Sequence, residues 1–467
     1  MGTINSAMSL ITSALDADQA ALDVTSNNVA NAYNESYTRE VPNWSENQPI
    51  YINGEAIGTG VTVTGGVSQR DRVLDQRLDQ QQLSASSTSL LTALTTLQDS
   101  FTPASSSTST GNIGTDITSF FDSYTQLESD PTSNAERQGV LTAATTLASD
   151  ISSTAASLNA QQASLDQSAN TVVTQVNALS TALAQVNQQI QSTSPDADAG
   201  VLEDERQSDL SQLSQLIGIN QITTEQNGMS VTTTGGQLLA SEGSSIPITT
   251  GEVDGVTHFY LGGTDITSAL ASGGGQLGGI LTARDQSIPT TLASLDQLAY
   301  GISTSINTVN NAGTDLDGDN GNAGDIFNAP TQVAGSAAAM SVVMTDPNKI
   351  AAAGLGDGTG DDSNALAAAN LANEKIVDGQ TPSDFYSNLV STLGATVSET
   401  TTQNTALTAS VTQLQSQVSS LSGVSLNDEA SNLEQFQRAY QAASEVFSIL
   451  NTVYASAINL GVETTVS

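Results

Sequence analysis

Cysteine is absent from this 467-residue chain, and histidine occurs once, at His258. Those two absences remove most zinc sites, the Ser–His–Asp arrangement and the Cys–His pair, because each depends on imidazole or thiolate. No disulfide can staple the fold, which fits a reducing compartment or export by a route that never relies on oxidative folding. Aromatic residues make up only 4% of the chain, with a single tryptophan, Trp44, in an apolar fraction of 37%. Thick cores lean on the large rings, so this composition suits long, thin helical layers. Positive charge is scarce as well: 10 Lys and Arg stand against 48 Asp and Glu, a formal net charge of −38. Such a field repels nucleic acid and anionic membrane, and it keeps copies soluble and apart. No apolar run reaches the ~18 residues of a membrane span, so no membrane insertion is expected. The opening MGTINSAMSLITSALDADQAALDV has neither the basic flank nor the apolar stretch of a cleaved signal peptide, so none is expected.

What remains is helical repeat. Ile4, Met8, Ile11, Leu15, Leu22 and Val29 follow alternating four–three spacing, with Asp18 and Thr25 as polar members. So narrow a seam is a coiled-coil pattern rather than the broad stripe of a globular surface helix. At the far end Leu433, Phe436, Tyr440, Ala443, Phe447, Leu450, Tyr454 and Ala457 repeat in the same way, and Val446, Ile449 and Val453 add a second stripe. Each end wants a helical partner, and each is the obvious candidate for the other. Leu407 to Leu421 forms another heptad series, stopped at Gly423. Between them, helices are expected over Leu83–Phe101, over Phe120–Leu127, from Val140 through Ile190 to a break at Pro195, over Leu202–Ile217 and over Leu292–Val309. The Pro103–Ser–Ser–Ser–Thr stretch reads as a linker.

Two stretches read as strand. Residues 41–69 carry Ile50–Tyr–Ile–Asn53–Gly54 and Val61–Thr–Val–Thr–Gly65, which predicts a β hairpin. Residues 219–272 alternate and turn at Asn227–Gly228, Gly235–Gly236 and Asp254–Gly255, which predicts a small antiparallel β region. The acidic, Gly-rich stretch 313–365 reads as loops.

Little of this is catalytic. His258 lies in an alternating strand and is expected to be structural, and the carboxylates are too many for any pair to stand out. Asp315–Leu–Asp317–Gly–Asp319 resembles the start of a calcium loop. That loop needs Gly at its sixth position and Glu at its twelfth, where this chain has Asn320 and Ile326, so a plain acidic turn is the expectation. Gly273–Gly–Gly–Gln–Leu–Gly278–Gly279 lacks a phosphate-loop lysine and reads as a turn feeding the next helix. Trp44 is expected to be a packing anchor. No catalytic, cofactor or metal site is predicted, and no enzymatic activity.

Residues 26–39 read SNNVANAYNESYTR. They resemble the signature SNNVANANTPGYTR of the rod, hook and hook-associated proteins of the bacterial flagellar axis, through Ser26, Asn27, Asn28, Val29, Ala30, Asn31, Tyr37 and Arg39. SGVSLNDEASNLEQFQRAYQAASEVFSILNTVYASAINLG, at 422–461, resembles the C-terminal signature of the same superfamily. Middle segments at Leu202–Gly218, Gly278–Asp285 and Val343–Ala352 resemble the hook–filament junction branch of the hook-associated proteins. Where the family has Thr-Pro-Gly, this chain has Asn34–Glu35–Ser36, which leaves the turn geometry there open.

The resemblance implies a structural flagellar protein, exported without a cleaved signal through the flagellar type III apparatus and located outside the cell. Its expected partners are the flagellar hook protein, the second hook-associated protein, identical subunits and a cytoplasmic export chaperone. The fold class expected is mainly α with a small β insertion, elongated and multi-domain. Terminal coiled-coil segments 1–40 and 425–467 would form an inner tube. A mainly helical bundle of 41–217 and 276–424 would carry the hairpin near 41–70, and 218–275 would be an outer β domain. Expected assembly residues are Ile4, Met8, Ile11, Leu15, Leu22, Val29, Leu433, Phe436, Tyr440, Phe447, Leu450 and Tyr454. Ser26–Asn27–Asn28 and Asn31 would cap and turn the end of the first helix. Alternatives are another axial protein, hook protein or flagellin, or an axial protein whose insert binds a ligand or metal.

Overall fold

Helical repeat dominates the computed structural model, which describes residues 2–34, 37–52, 55–69, 73–101, 112–194, 198–224 and 227–463. The Glu35–Ser36 turn, Asn53–Gly54, the linker after Pro103, Pro195 and the side chain of Ile4 lie outside the described residues. In chain order the elements are α1 (Gly2–Ala30), β1 (Glu40–Glu46), β2 (Ile50–Ile52), β3 (Glu55–Ile57), β4 (Val61–Ser68), α2 (Val73–Asp99), α3 (Ile113–Ser129), α4 (Asn134–Thr193) and α5 (Val201–Leu216). Strands β5 (Ile219–Thr223), β6 (Met229–Thr233), β7 (Leu238–Ser241), β8 (Ser244–Ser245), β9 (Ile248–Val253), β10 (Val256–Leu261) and β11 (Thr264–Asp265) follow. Helices α6 (Thr267–Gly273), α7 (Gly275–Thr282), α8 (Ile288–Ala312), α9 (Ser336–Ala339), α10 (Ser363–Asn370), α11 (Pro382–Ser422) and α12 (Leu426–Glu463) complete the chain. The fold is mainly α with small antiparallel sheets.

The boundaries have local causes. Ser133 accepts from the Glu136 amide at 3.3 Å and opens α4, which then runs 60 residues on an unbroken apolar repeat. Asn112 caps α3 through the Gly114 amide at 2.8 Å. Gly423 ends α11, and Ser425 accepts from the Asp428 amide at 3.4 Å to start α12.

The chain forms two compact units. One gathers residues 83–175 and 248–407. Its core is a contiguous apolar cluster in which Phe120 meets Phe121, Tyr124 and Phe327 with ring centroids 5.2–5.6 Å apart. In the same unit Arg284, 1% exposed, sits in a π-helical turn between α7 and α8. It binds Asp166 at 2.5 Å and Asp285 at 2.7 Å and stacks over Phe259. Gly278 and Gly279, expected in a turn, instead lie inside α7. A Cβ on Gly279 would stand 2.2 Å from the Ser86 carbonyl of α2, so glycine is there to let two helix backbones touch.

The acidic loop of this unit carries its own cation. Lys349 Nζ lies 2.9, 3.2 and 2.6 Å from carboxylates of Asp315, Asp317 and Asp319. Asp315 is fully buried and also accepts from the Asp319 amide at 2.8 Å. His258 pairs with Asp265 at 2.7 Å on the β10–β11 hairpin. That bond, together with the Thr267 amide and hydroxyl, holds the Asp265 carboxyl down at about 2.

The other unit gathers residues 1–82, 176–247 and 408–467. It contains the β1–β4 ribbon, the β2–β3 hairpin and the four-stranded sheet β5–β6–β7–β8. The separate sheet β11–β10–β9 belongs to the first unit, so the β-rich stretch 218–275 is shared between the two units. β1 and β4 pair antiparallel from Glu40↔Ser68 to Glu46↔Val61, with a bulge opposite Asn43/Trp44 where Gly65 takes φ +99°.

Candidate assembly site

The first and last helices meet. α1 packs against α12. The end of α1 lies beside the start of α12, through Asn28 and Glu429, so the two run antiparallel. The seam residues of α12, namely Leu433, Phe436, Tyr440, Phe447, Leu450 and Tyr454, are all half-buried along one face. On α1 the fully buried residues are Ala17, Ala21, Thr25 and Asn28, about a quarter turn from the apolar seam. Thr25 turns its hydroxyl back onto the Ala21 carbonyl at 2.8 Å. Met8, Ile11, Leu15 and Leu22 are consequently only half-buried, and Val29 is 40% exposed. Val446, Ile449 and Val453, the second stripe of α12, remain 42%, 62% and 47% exposed.

A polar knot ties these helices at one end. Asn28 is buried and uses both ends of its amide. Its Nδ2 donates to the Glu40 carbonyl at 2.8 Å and to Glu429 Oε2 at 3.3 Å. Its Oδ1 accepts from the Glu40 amide at 3.0 Å and from the Tyr37 hydroxyl at 2.8 Å. Asn27 Nδ2 donates to that hydroxyl at 3.2 Å, and Asn31 Nδ2 donates back to Asn27 at 3.0 Å. Arg39 Nε donates to Glu429 Oε1 at 2.7 Å, and the Arg39 amide to the Ser422 carbonyl at 2.9 Å. The Thr38 amide donates to buried Asp204 at 3.0 Å. Burial, and then the charges of Glu40, Asp204 and Glu429, push the Tyr37 phenol far above its ordinary range, so it stays protonated and donates. Ser26 only bonds back to the Leu22 carbonyl, at 2.7 Å, and Ala30 closes α1 with no polar role.

The family residues therefore do more than end a helix. Asn28 clamps the first residue of the β ribbon, and Arg39 and Asn28 together hold a carboxylate of the last helix. Trp44 of the same ribbon stands edge-on to Phe436 of α12, centroids 6.0 Å apart. Glu429, Glu40 and Asp204 were not singled out in the sequence; among 48 acidic residues only the position of Glu429 inside the C-terminal motif pointed to it.

Among the described residues no group of three or more His, Cys, Asp and Glu is placed to hold a metal ion, and no helix is long and apolar enough to cross a membrane.

Residues 94–327 match the family model described as flagellar hook-associated protein FlgK helical domain. Residues 384–460 match the bacterial flagellin C-terminal helical region, and residues 10–32 match the flagella basal body rod protein model. Flagellar hook-associated protein 1 of Escherichia coli (strain K12) is 27% identical, the match covering 98% of this chain and 99% of that one. Flagellar hook-associated protein 1 of Bacillus subtilis (strain 168) is also 27% identical, covering 96% of each. The flagellar hook junction protein FlgK from Burkholderia pseudomallei shares the fold at a TM-score of 0.66 and 18% identity, over 74% of this chain and all of that structure. The helical middle, the paired ends and these full-length likenesses agree, and the chain belongs to the FlgK family of flagellar hook-associated proteins, structural components of the bacterial flagellum.

Proposed function

We propose that this chain forms the structural layer joining the flagellar hook to the filament, and that α1 and α12 are its assembly elements. One observation carries the reading. The two signature motifs knot the terminal helices together at Asn28, Arg39 and Glu429, yet the apolar seams of both helices stay half-open and the Val446–Ile449–Val453 stripe faces solvent. An antiparallel helix pair with that much uncovered apolar surface is marginal alone, and neighbouring subunits supply the missing burial. Expected neighbours are identical subunits, the hook protein on one side and the second hook-associated protein on the other. Export proceeds through the type III apparatus, guarded by a cytoplasmic chaperone. The role is mechanical rather than enzymatic.

Deletion of the gene in a motile host tests the reading: secretion of unpolymerised flagellin from cells with intact hooks is the expected outcome. Restoration of swimming by protein lacking residues 2–30 and 426–463 would overturn it.

A further inference from the structure

Two features of the unit formed by residues 1–82, 176–247 and 408–467 are left partly open among the described residues, and they lie at opposite ends of α1. The first is the β2–β3 hairpin. Ile50 pairs with Ile57 and Tyr51 with Ala56, so the two isoleucines share one face and Tyr51 points to the other. Neither face is covered: Ile50, Tyr51 and Ile57 are 42%, 74% and 43% exposed. A two-stranded hairpin bare on both sides is marginal in water on its own. Glu55 adds an exposed carboxylate beside them.

The ribbon sets where the hairpin stands. Glu40 is clamped on Asn28, near the end of α1. The Asn47 amide donates to the Gly60 carbonyl at 2.9 Å, and Gly60 abuts Leu10 and Ser13. From Asn28 to Ser13 the helix rises about 22 Å, which matches about 23 Å for the seven residues of β1. The ribbon thus runs back along α1, and the hairpin follows at its N-terminal end.

The second feature is a cleft of ≈ 680 Å³ past the C-terminal end of α1, lined among others by Tyr33, Leu74, Arg77, Ser208 and Val418. Arg77 Nη1 donates to Gln415 Oε1 at 2.6 Å, while Nε is buried without a partner. Burial lowers the Arg77 pKa. In a chain with 48 acids to 10 bases, a partly buried guanidinium with no carboxylate partner among the described residues is out of place, because buried charge is ordinarily paired. Tyr33, at the rim, is 90% exposed.

We propose that the β2–β3 hairpin of one copy docks into the Arg77 cleft of the next, with Glu55 meeting Arg77 and the hairpin's apolar side chains covered by Tyr33, Leu74 and Val418. Exposed Glu55 is opposite in charge to Arg77, and the cleft lining offers Tyr33, Leu74 and Val418 to the hairpin's apolar side chains. The contact joins paired strands to a cleft rather than a patch to itself, so it is heterologous and propagates from copy to copy. It rests on the assembly reading above but uses a surface distinct from the helix seams.

The absence of native cysteine makes the test clean. The full chain carrying Ala56→Cys and Ser208→Cys together replaces the resident protein in a motile host, and isolated flagella are oxidised. A ladder of disulfide-linked multimers on a non-reducing gel is expected, with each single variant giving dimers at most. Arg77→Glu is expected to cut swimming at least tenfold, and adding Glu55→Arg to restore it. Swimming without a ladder, or a charge swap that fails to rescue, overturns the docking alone. Failure of the unaltered chain to incorporate into flagella overturns the assembly reading beneath it.

Discussion

Truncating either partner of the Arg39–Glu429 pair breaks the same 2.7 Å contact, yet the two changes differ in cost. The Arg39 side chain is 29% exposed and that of Glu429 only 1%. With Glu429→Ala the guanidinium turns to water, and what is lost is one charge-assisted hydrogen bond and one from Asn28, about 2–3 kcal/mol together. With Arg39→Ala a buried carboxylate is stranded on a single amide donor, a loss of about 3–5 kcal/mol. Combining the two strands nothing, so the double variant falls short of the sum by about 2 kcal/mol. Trp44 provides the readout. It is the only tryptophan and lies edge-on to Phe436, so its fluorescence follows the undocking of α12 from the ribbon during urea titration. Equal costs for the two single variants, or additivity within ~0.5 kcal/mol, would refute the account of the knot.

Three further outcomes are expected. Asp116 is raised from 3.8 to about 7, first by burial and then by the hydrogen bond and charge of Asp150 on α4. Because the folded value lies above the unfolded one, the stability it adds is full below about pH 4 and is lost as pH climbs through about 7; Asp116→Asn flattens that fall in a pH series of thermal melts. Gly279→Ala, which would place a methyl 2.2 Å from the Ser86 carbonyl, costs about 3 kcal/mol or more by chemical denaturation. Lys349→Met removes the ammonium shared by Asp315, Asp317 and Asp319 and leaves buried Asp315 unneutralised, lowering the melting temperature, whereas the unaltered protein gains no stability from added calcium in calorimetry.

Much of the helical framework was legible, because apolar repeats over the stretches now seen as α1, α4, α11 and α12 depend only on helix period. The hairpins at 41–69 were legible for the same reason, from alternation and glycine. Close approach was not. Gly278 and Gly279 carry a turn composition, and only the backbone of α2 explains why they stay in a helix. Nor could pattern divide the stretch 218–275 between two units, since both sheets alternate alike. At the site the motif residues Asn28, Tyr37 and Arg39 stood out, but their partner Glu429 lies 390 positions beyond Arg39, a separation no local pattern spans. The acidic loop showed its carboxylates and hid its counter-charge, because Lys349 arrives 30 residues after Asp319.

That separation also orders events in time. The segment bearing Asn28 and Arg39 leaves the ribosome long before the segment bearing Glu429 does. The intervening unit can settle on contacts of its own, and α1 can settle on the β ribbon, but the pairing of α1 with α12 must wait for the final stretch of chain. The part of the knot that joins Asn28 to Tyr37 and Glu40 lies within the first forty residues, whereas the part that joins Asn28 and Arg39 to Glu429 needs nearly the whole chain.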